Sequence, residues 1–338
     1  MSEKFLYAAN MLASRCWRSQ ISPEKIKEIV VVKWDEIGDM VTAVHVFQLL
    51  KHYAPQARLT VLCKPFVGSL INANPYIDRV VYDTRDLPVK ADVWVELRGT
   101  WKTFWLSLWR TQKVRLDRGR VRFLQRGNQA HERLTNFRIV EPLVGDIPWS
   151  SAPLQLSKGD ANAAENILSG LLGNAVSTPF VVVHPGGRSL LRRWPVERFV
   201  PVIKEIYAQR GWKSVVIGTP DEAALVEQIV AGSEGAALAW ITTAGLGTFA
   251  SVISRAEMFL GNESGPLQIA DAMGVKSIGL FGPGVKEVFY PQTPGSQVLH
   301  PILDCNPCDQ VHCVQPENRC IDLTQVADVL QAIERSKD

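Results

Sequence analysis

Four short stretches hold the residues with chemistry to offer: KWDEIGDM at 33–40, HPGGRSLLRRWP at 184–195, GTPDE at 218–222 and GNESGP at 261–266. Each follows an apolar, β-branched run and leads toward a segment of helical periodicity, so each reads as a strand-end turn. In the last of them Pro266 is expected at the first helical position, where a missing N–H costs nothing. Ser264 and Gly265 then offer free N–H groups at a helix start, a natural seat for an anion. Yet a carboxylate, Glu263, stands at the same spot. Either it is itself the anion and caps the helix, or the ligand brings phosphate and hydroxyl groups together. Asp, Asn or Ser would cap better than Glu, which favours the ligand. A nucleotide sugar has both features: its diphosphate would meet the helix start, and Glu263 would accept from sugar hydroxyls. Glu222, in the GTPDE turn, would do the same for the ribose or base.

In the first turn Asp39 follows Gly38 at the start of a helix. A carboxylate there is either an ordinary N-terminal charge or a general base facing a cleft. Its neighbour Asp35 reads as a structural hydrogen-bonding group. A fifth group is set apart: Cys305, Cys308, Cys313 and Cys320 form C-x2-C-x4-C-x6-C in a loop rich in Asn, Pro and Gln. Four clustered thiolates suit a closed structural zinc or iron site; reduced thiols or disulfides are the alternatives. Cys16 and Cys63 read as isolated thiols.

The elements that must position these turns alternate. IKEIVVVKWDEIGDMVTAVHVFQLLKHYAPQARLTVLCK reads as strand, turn, amphipathic helix, strand, and RVVYD and DVWVELRG continue as short strands. Pro, Ser and Gly then accumulate, and a junction is expected near residues 150–178. The pattern restarts with PFVVVHPGG and runs through KSVVIG, LAWITT, MFLG and VKSIGLFGPG, with helices between. The fold class is therefore α/β, with two Rossmann-like halves of parallel sheet facing each other across a cleft. The expected division is a 1–28 extension helix, a first domain at 29–160 and a second at 161–338, with the Cys-rich loop at 305–320.

A chain of 338 residues suits two domains. Its 46% hydrophobic and 21% charged content is that of an ordinary globular enzyme, and no apolar run reaches bilayer-spanning length. The N-terminus lacks a clean signal-peptide core, so a cytoplasmic protein is expected. The net charge of +3 is unevenly spread: Arg98 to Arg138 holds eleven Lys/Arg against Asp117 and Glu132. Within that segment TWKTFWLSLWRTQK interleaves aromatic and basic residues at helical spacing. This suits phospholipid headgroups or a phosphorylated glycolipid, or else a core helix with a solvated basic face. No nucleic-acid motif accompanies it.

Taken in order, the turns resemble those of the family 9 glycosyltransferases, bacterial heptosyltransferases that move heptose from ADP-heptose onto lipopolysaccharide core. KWDEIGD matches the family's Arg/Lys-x-Asp-x-Ile-Gly-Asp, HPGGRSLLRRWP its His-Pro-Gly and Lys-x-Trp-Pro, and GTPDE its Gly-x-Pro-x-Glu. ESGPLQ and LFGP stand for its Asp-Ser-Gly-Pro-x-His and Leu-Phe-Gly-Pro. The likeness runs from about Ile29 to about Ile333. It implies a GT-B fold with the acceptor side at 29–160 and the nucleotide-sugar-binding domain at 161–338, an inverting displacement and no metal for the transfer itself. It implies Asp39 as the catalytic base and Arg192, where the family has Lys, as the phosphate-binding cation. Gly38, Gly186, Gly187, Ser189, Ser264, Gly265 and Gln268 join Glu222 and Glu263 around the donor. Arg98, Lys102 and Arg110 are expected to meet an anionic glycolipid or glycan acceptor, and His131 lies near a comparable family position. The implied partners are ADP-heptose and that acceptor, with peripheral contact at the inner membrane and no nucleic acid.

Two departures matter. Glu263 stands where the family has Asp, and Gln268 where it has His, so a cationic side chain is lost there. Three readings remain open: a heptosyltransferase-like enzyme, the same fold with another nucleotide sugar or a protein acceptor, and an inactive sugar-nucleotide-binding relative.

Overall fold

The computed structural model describes residues 3–17, 20–124, 130–149, 153–173, 178–306, 308 and 310–336. They form two compact units that divide between Gln155 and Leu156. Of the expected junction, 150–152 and 174–177 lie outside the described residues.

The first unit runs α1 (Glu3–Ser14), β1 (Glu28–Lys33), α2 (Ile37–Val41), α3 (Val44–Tyr53), β2 (Arg58–Cys63) and β3 (Arg79–Val81). It continues through β4 (Ala91–Arg98), α4 (Trp101–Arg110), β5 (Thr111–Asp117), α5 (Arg118–Leu124) and α6 (Glu132–Val144). The strands form one parallel sheet in the order β3-β2-β1-β4-β5. Val31 lies opposite Val61 on one side and Val95 on the other, and all three are fully buried. A parallel sheet is covered on both faces, which is why EIVVVK is a continuous apolar run rather than an alternating one. α3 stops just short of Pro55, since the residue before a proline avoids helical backbone. α1 packs against α4, α5 and β5 through Leu6 and Asn10, one turn apart. The Asn10 side-chain carbonyl accepts from the buried Arg115 guanidinium, so this helix is tied into the unit's interior.

The second unit begins with α7 (Lys158–Leu172) and β6 (Phe180–His184), followed by α8 (Val196–Arg210), β7 (Lys213–Gly218), α9 (Ala223–Gly232) and β8 (Ala237–Ile241). It ends with α10 (Leu246–Ile253), β9 (Met258–Asn262), α11 (Gly265–Ala272), β10 (Lys276–Leu280), α12 (Lys286–Phe289), β11 (Gln297–Leu299) and α13 (Val326–Arg335). Its sheet is also parallel, ordered β11-β10-β9-β6-β7-β8. α8 closes on Gly211 at φ 68°, a left-handed C-terminal stop that glycine adopts without steric cost. α11 starts at Gly265, so Pro266 takes its second position and not the expected first. Among the described residues no helix is long and apolar enough to cross a membrane.

Strand order reverses between β1 and β4 in the first sheet and between β6 and β9 in the second. Ligands of open parallel sheets bind outside the strands' carboxyl ends at such reversals. The turns at 33–40 and at 184–195 and 261–266 occupy these two places.

Candidate active site

At the carboxyl ends of β1 and β4 the first unit concentrates charge. Lys33, the last residue of β1, is fully buried, and its Nζ lies 3.3 Å from Asp35 Oδ2 and 3.6 Å from Glu132 Oε1. Burying an ammonium costs several kcal/mol unless it is paired, so two carboxylates are what this position requires. Glu132 opens α6 and accepts two bonds from Arg118, at 2.5 and 2.7 Å. Burial alone would raise its pKa, but Arg118 and Lys33 hold it down to about 2. Arg98, at the end of β4, reaches Asp35 at 3.4 Å and Asp39 at 3.9 Å. Asp39 sits in the first turn of α2 with a side chain 17% exposed. Burial pushes its pKa up to about 6; Lys33 and Arg98 pull it down while Asp35 and Glu132 push it further up. A largely buried carboxylate poised near neutrality, with part of its surface still exposed, can take a proton from a hydroxyl.

The sequence-predicted acceptor residues do not stay together. Arg98 joins the Asp39 cluster, and Lys102 is exposed in the first turn of α4 beside Asp83. Arg110 lies at the opposite edge of the sheet, because Thr111 next to it pairs with Ala91 at the amino end of β4. Its guanidinium donates to the carbonyls of Thr84, Leu87 and Pro88, where it braces a loop. His131 precedes α6, and its Nδ1 accepts from the Arg133 N–H at 3.2 Å.

In the second unit the loops after β6, β7 and β9 converge. Glu222 accepts from the Gly187 N–H at 3.0 Å and the Thr219 N–H at 3.1 Å. Its pKa is raised by burial but brought to about 2 by His184 and those two amides. A Cβ at Gly186 would overlap the Glu222 carboxylate, so only glycine lets this loop approach so closely. His184 bridges the turns: Nε2 lies 3.6 Å from Glu222 Oε2, and Nδ1 lies 3.3 Å from Ser264 Oγ. Asn262 completes the joint, donating to the carbonyls of Pro185 and Gly186 and accepting from the Trp194 N–H.

Glu263 does not cap α11; Ser264 is the N-cap residue, and it makes no side-chain capping bond. The Glu263 carboxylate instead lies 3.4 Å from Arg192 Nη1. Burial raises its pKa, against the pull of Arg192. Its Oε2 is buried with no hydrogen-bond partner among the described residues, as is Gln268 Oε1. The Gln268 amide nitrogen donates to the Phe289 carbonyl at 2.6 Å. Ser189 caps a short 3-10 turn through Leu191 N, and Arg193 holds the Gly187 carbonyl at 2.8 Å. Arg192 is itself steered by Gln310, whose side-chain oxygen accepts from Nε at 2.6 Å and also from Nη2.

Gln310 belongs to the Cys-rich loop, of which Pro307 and Asp309 lie outside the described residues. Cys305, Cys308, Cys313 and Cys320, with His312, line one cavity of about 320 Å³. Soft thiol donors suit zinc or iron, yet among the described residues no three His, Cys, Asp or Glu side chains converge in a ligating arrangement. The four thiols share the wall of this cavity.

Lys33, Arg118, Glu132 and His184 were not singled out from sequence. His184 was legible as the first letter of HPGG; the partners of Lys33 were not, since Glu132 joins it only through the fold.

Comparison with known proteins agrees with this architecture. The profile of glycosyltransferase family 9 (heptosyltransferase) matches residues 127–318. Lipopolysaccharide heptosyltransferase 3 of Escherichia coli is 26% identical over 284 residues, covering 72% of this chain and 80% of the relative. A family 9 glycosyltransferase from Veillonella parvula superposes with a TM-score of 0.78 at 20% identity, covering 92% of this chain and 97% of that one. The E. coli ADP-heptose lps heptosyltransferase II superposes at 0.70 and 16% identity, covering 91% and 98%. Two parallel α/β units of this kind are the GT-B fold. With more than half of its length matched by the family profile, the chain belongs to glycosyltransferase family 9, the heptosyltransferases.

Proposed function

We propose that this glycosyltransferase moves heptose from ADP-heptose onto an anionic glycan or glycolipid of lipopolysaccharide-core type, with inversion at the anomeric carbon. The observation that carries the reading is the convergence of Arg192, the α11 amino terminus and the partnerless Glu263 Oε2 at the β6/β9 reversal. A buried acceptor without a donor is costly, and a sugar hydroxyl would satisfy it. The Ser264 and Gly265 amides and the Arg192 guanidinium would take up the charge that grows on the leaving diphosphate. Glu222, already committed to Gly187 and Thr219, would shape the glycine loop and present its outer edge to the nucleoside.

In the first unit Asp39 would accept the acceptor hydroxyl's proton as that oxygen attacks, and Arg98 would orient the acceptor's anionic group. Zinc or iron on the four cysteines would serve structure: it would fix the loop that presents Gln310 to Arg192. The protein would work at the cytoplasmic face of the inner membrane, in peripheral contact with it.

Turnover of a nucleotide-sugar panel by the purified protein tests the proposal. Release of ADP from ADP-heptose in the presence of a core acceptor is expected. Preference for another donor would replace the sugar assignment, and tight binding of every donor without turnover would make the protein a binding relative. Elemental analysis of protein purified under reducing conditions tests the metal: about one zinc or iron per chain is expected.

A further inference from the structure

α4 has two faces of opposite character. Thr103, Phe104 and Ser107 point inward and are buried, whereas Lys102, Trp105 and Trp109 recur at i, i+3 and i+7 on the outward side. Trp105 is 57% exposed and Trp109 84%, large apolar surfaces that a water-facing helix does not ordinarily carry. The neighbouring α1 repeats the pattern: Phe5 and Leu12, seven residues apart on its outer side, are 64% and 58% exposed. The charge beside these apolar groups is predominantly positive, although α1 carries Glu3 next to Lys4 and Lys102 lies beside Asp83. α4 and α5 contain no acidic residue, and α5, against which α1 also packs, exposes Arg120 and Arg122.

Interfacial tryptophans with cations beside them match the boundary of a bilayer, where the indole ring sits at headgroup depth and Lys or Arg meets phosphate. A protein partner would satisfy the apolar groups but would not call for the excess of cations over acids on α4 and α5. We propose that the outward faces of α4 and α1 dock the protein onto an anionic phospholipid surface, with Trp105 and Trp109 inserted at headgroup level. This rests on the membrane part of the functional reading and names the surface responsible. Asp39 and Arg98 stand at the carboxyl edge of the sheet where α4 begins, so docking would hold that edge near a lipid-linked acceptor.

Vesicle co-sedimentation of the full chain, without donor or acceptor, tests this independently of any sugar transfer. The chain is expected to sediment with phosphatidylglycerol-containing vesicles and not with phosphatidylcholine alone, less so as salt rises. Trp105→Ala with Trp109→Ala should weaken partitioning at least about tenfold, and Lys102→Glu about fivefold or more. Trp109 is 84% exposed and Trp105 meets the interior only at the edge of Phe104, 5.3 Å between ring centroids, so the double variant should melt only slightly lower and transfer to a soluble acceptor like wild type. Brominated lipid should quench native tryptophan emission, a readout that needs no variant. The proposal is overturned if the wild-type chain stays in the supernatant with anionic vesicles, or if the double variant sediments unchanged. It is equally overturned if the native protein is a dimer that the double variant dissociates, which would assign the face to a second copy.

Discussion

Around Asp39 the first unit sets charged side chains against one another, with Lys33 between Asp35 and Glu132, Arg118 on Glu132, and Arg98 over Asp35 and Asp39. The second unit builds largely with backbone: the amides of Gly187 and Thr219 hold Glu222, and the carbonyls of Pro185 and Gly186 are pinned by Asn262. The difference fits two tasks. A proton acceptor needs a pKa tuned by neighbouring charges, and burial with mixed charges leaves Asp39 at about 6. An anion cradle needs fixed donors, and Glu222, which holds the glycine loop, stays ionised with its pKa at about 2.

Breaking either region should give different symptoms. Asp39→Asn should lower kcat by about a thousandfold, the size expected for losing a general base, as read by single-turnover transfer. Arg192→Ala should lower kcat/KM about a hundredfold, with the Glu263 carboxylate left without its cation. Gly186→Ala forces a Cβ into the Glu222 carboxylate and should cost about 1–3 kcal/mol, visible as a lower melting temperature.

A pH profile sharpens the contrast. Asp39 works as a base only when ionised, so kcat/KM should fall as pH drops through about 6. Lys33 favours the ionised form, so Lys33→Met should move that acid limb upward, toward neutral pH. No limb of this kind is expected from Glu222, which stays ionised far below that range.

Much of this architecture was legible from residue types. β1 and β6 announce themselves as EIVVVK and FVVVH because buried parallel strands demand unbroken β-branched runs. Gly186 marks a turn because the close approach of the Glu222 carboxylate leaves no room for a Cβ. β5, α5 and α6 were not legible: no apolar run marks a stretch so rich in arginine, and the fold buries Arg115 against Asp117 and Arg118 against Glu132. Periodicity cannot reveal charges that are neutralised by partners the fold brings from elsewhere. Arg110 failed for the opposite reason. Its sequence neighbourhood is that of Arg98, but the ten residues of α4 carry it back to the amino edge of the sheet.

The division of labour between the two regions is tested most directly by calorimetric ADP-heptose affinity of Asp39→Asn and Arg192→Ala, set beside their transfer rates. The account predicts that Asp39→Asn binds donor like wild type yet scarcely transfers, while Arg192→Ala binds it at least about tenfold more weakly. Donor affinity lost in Asp39→Asn, or transfer retained by it, would contradict the assignment of Asp39 as the base.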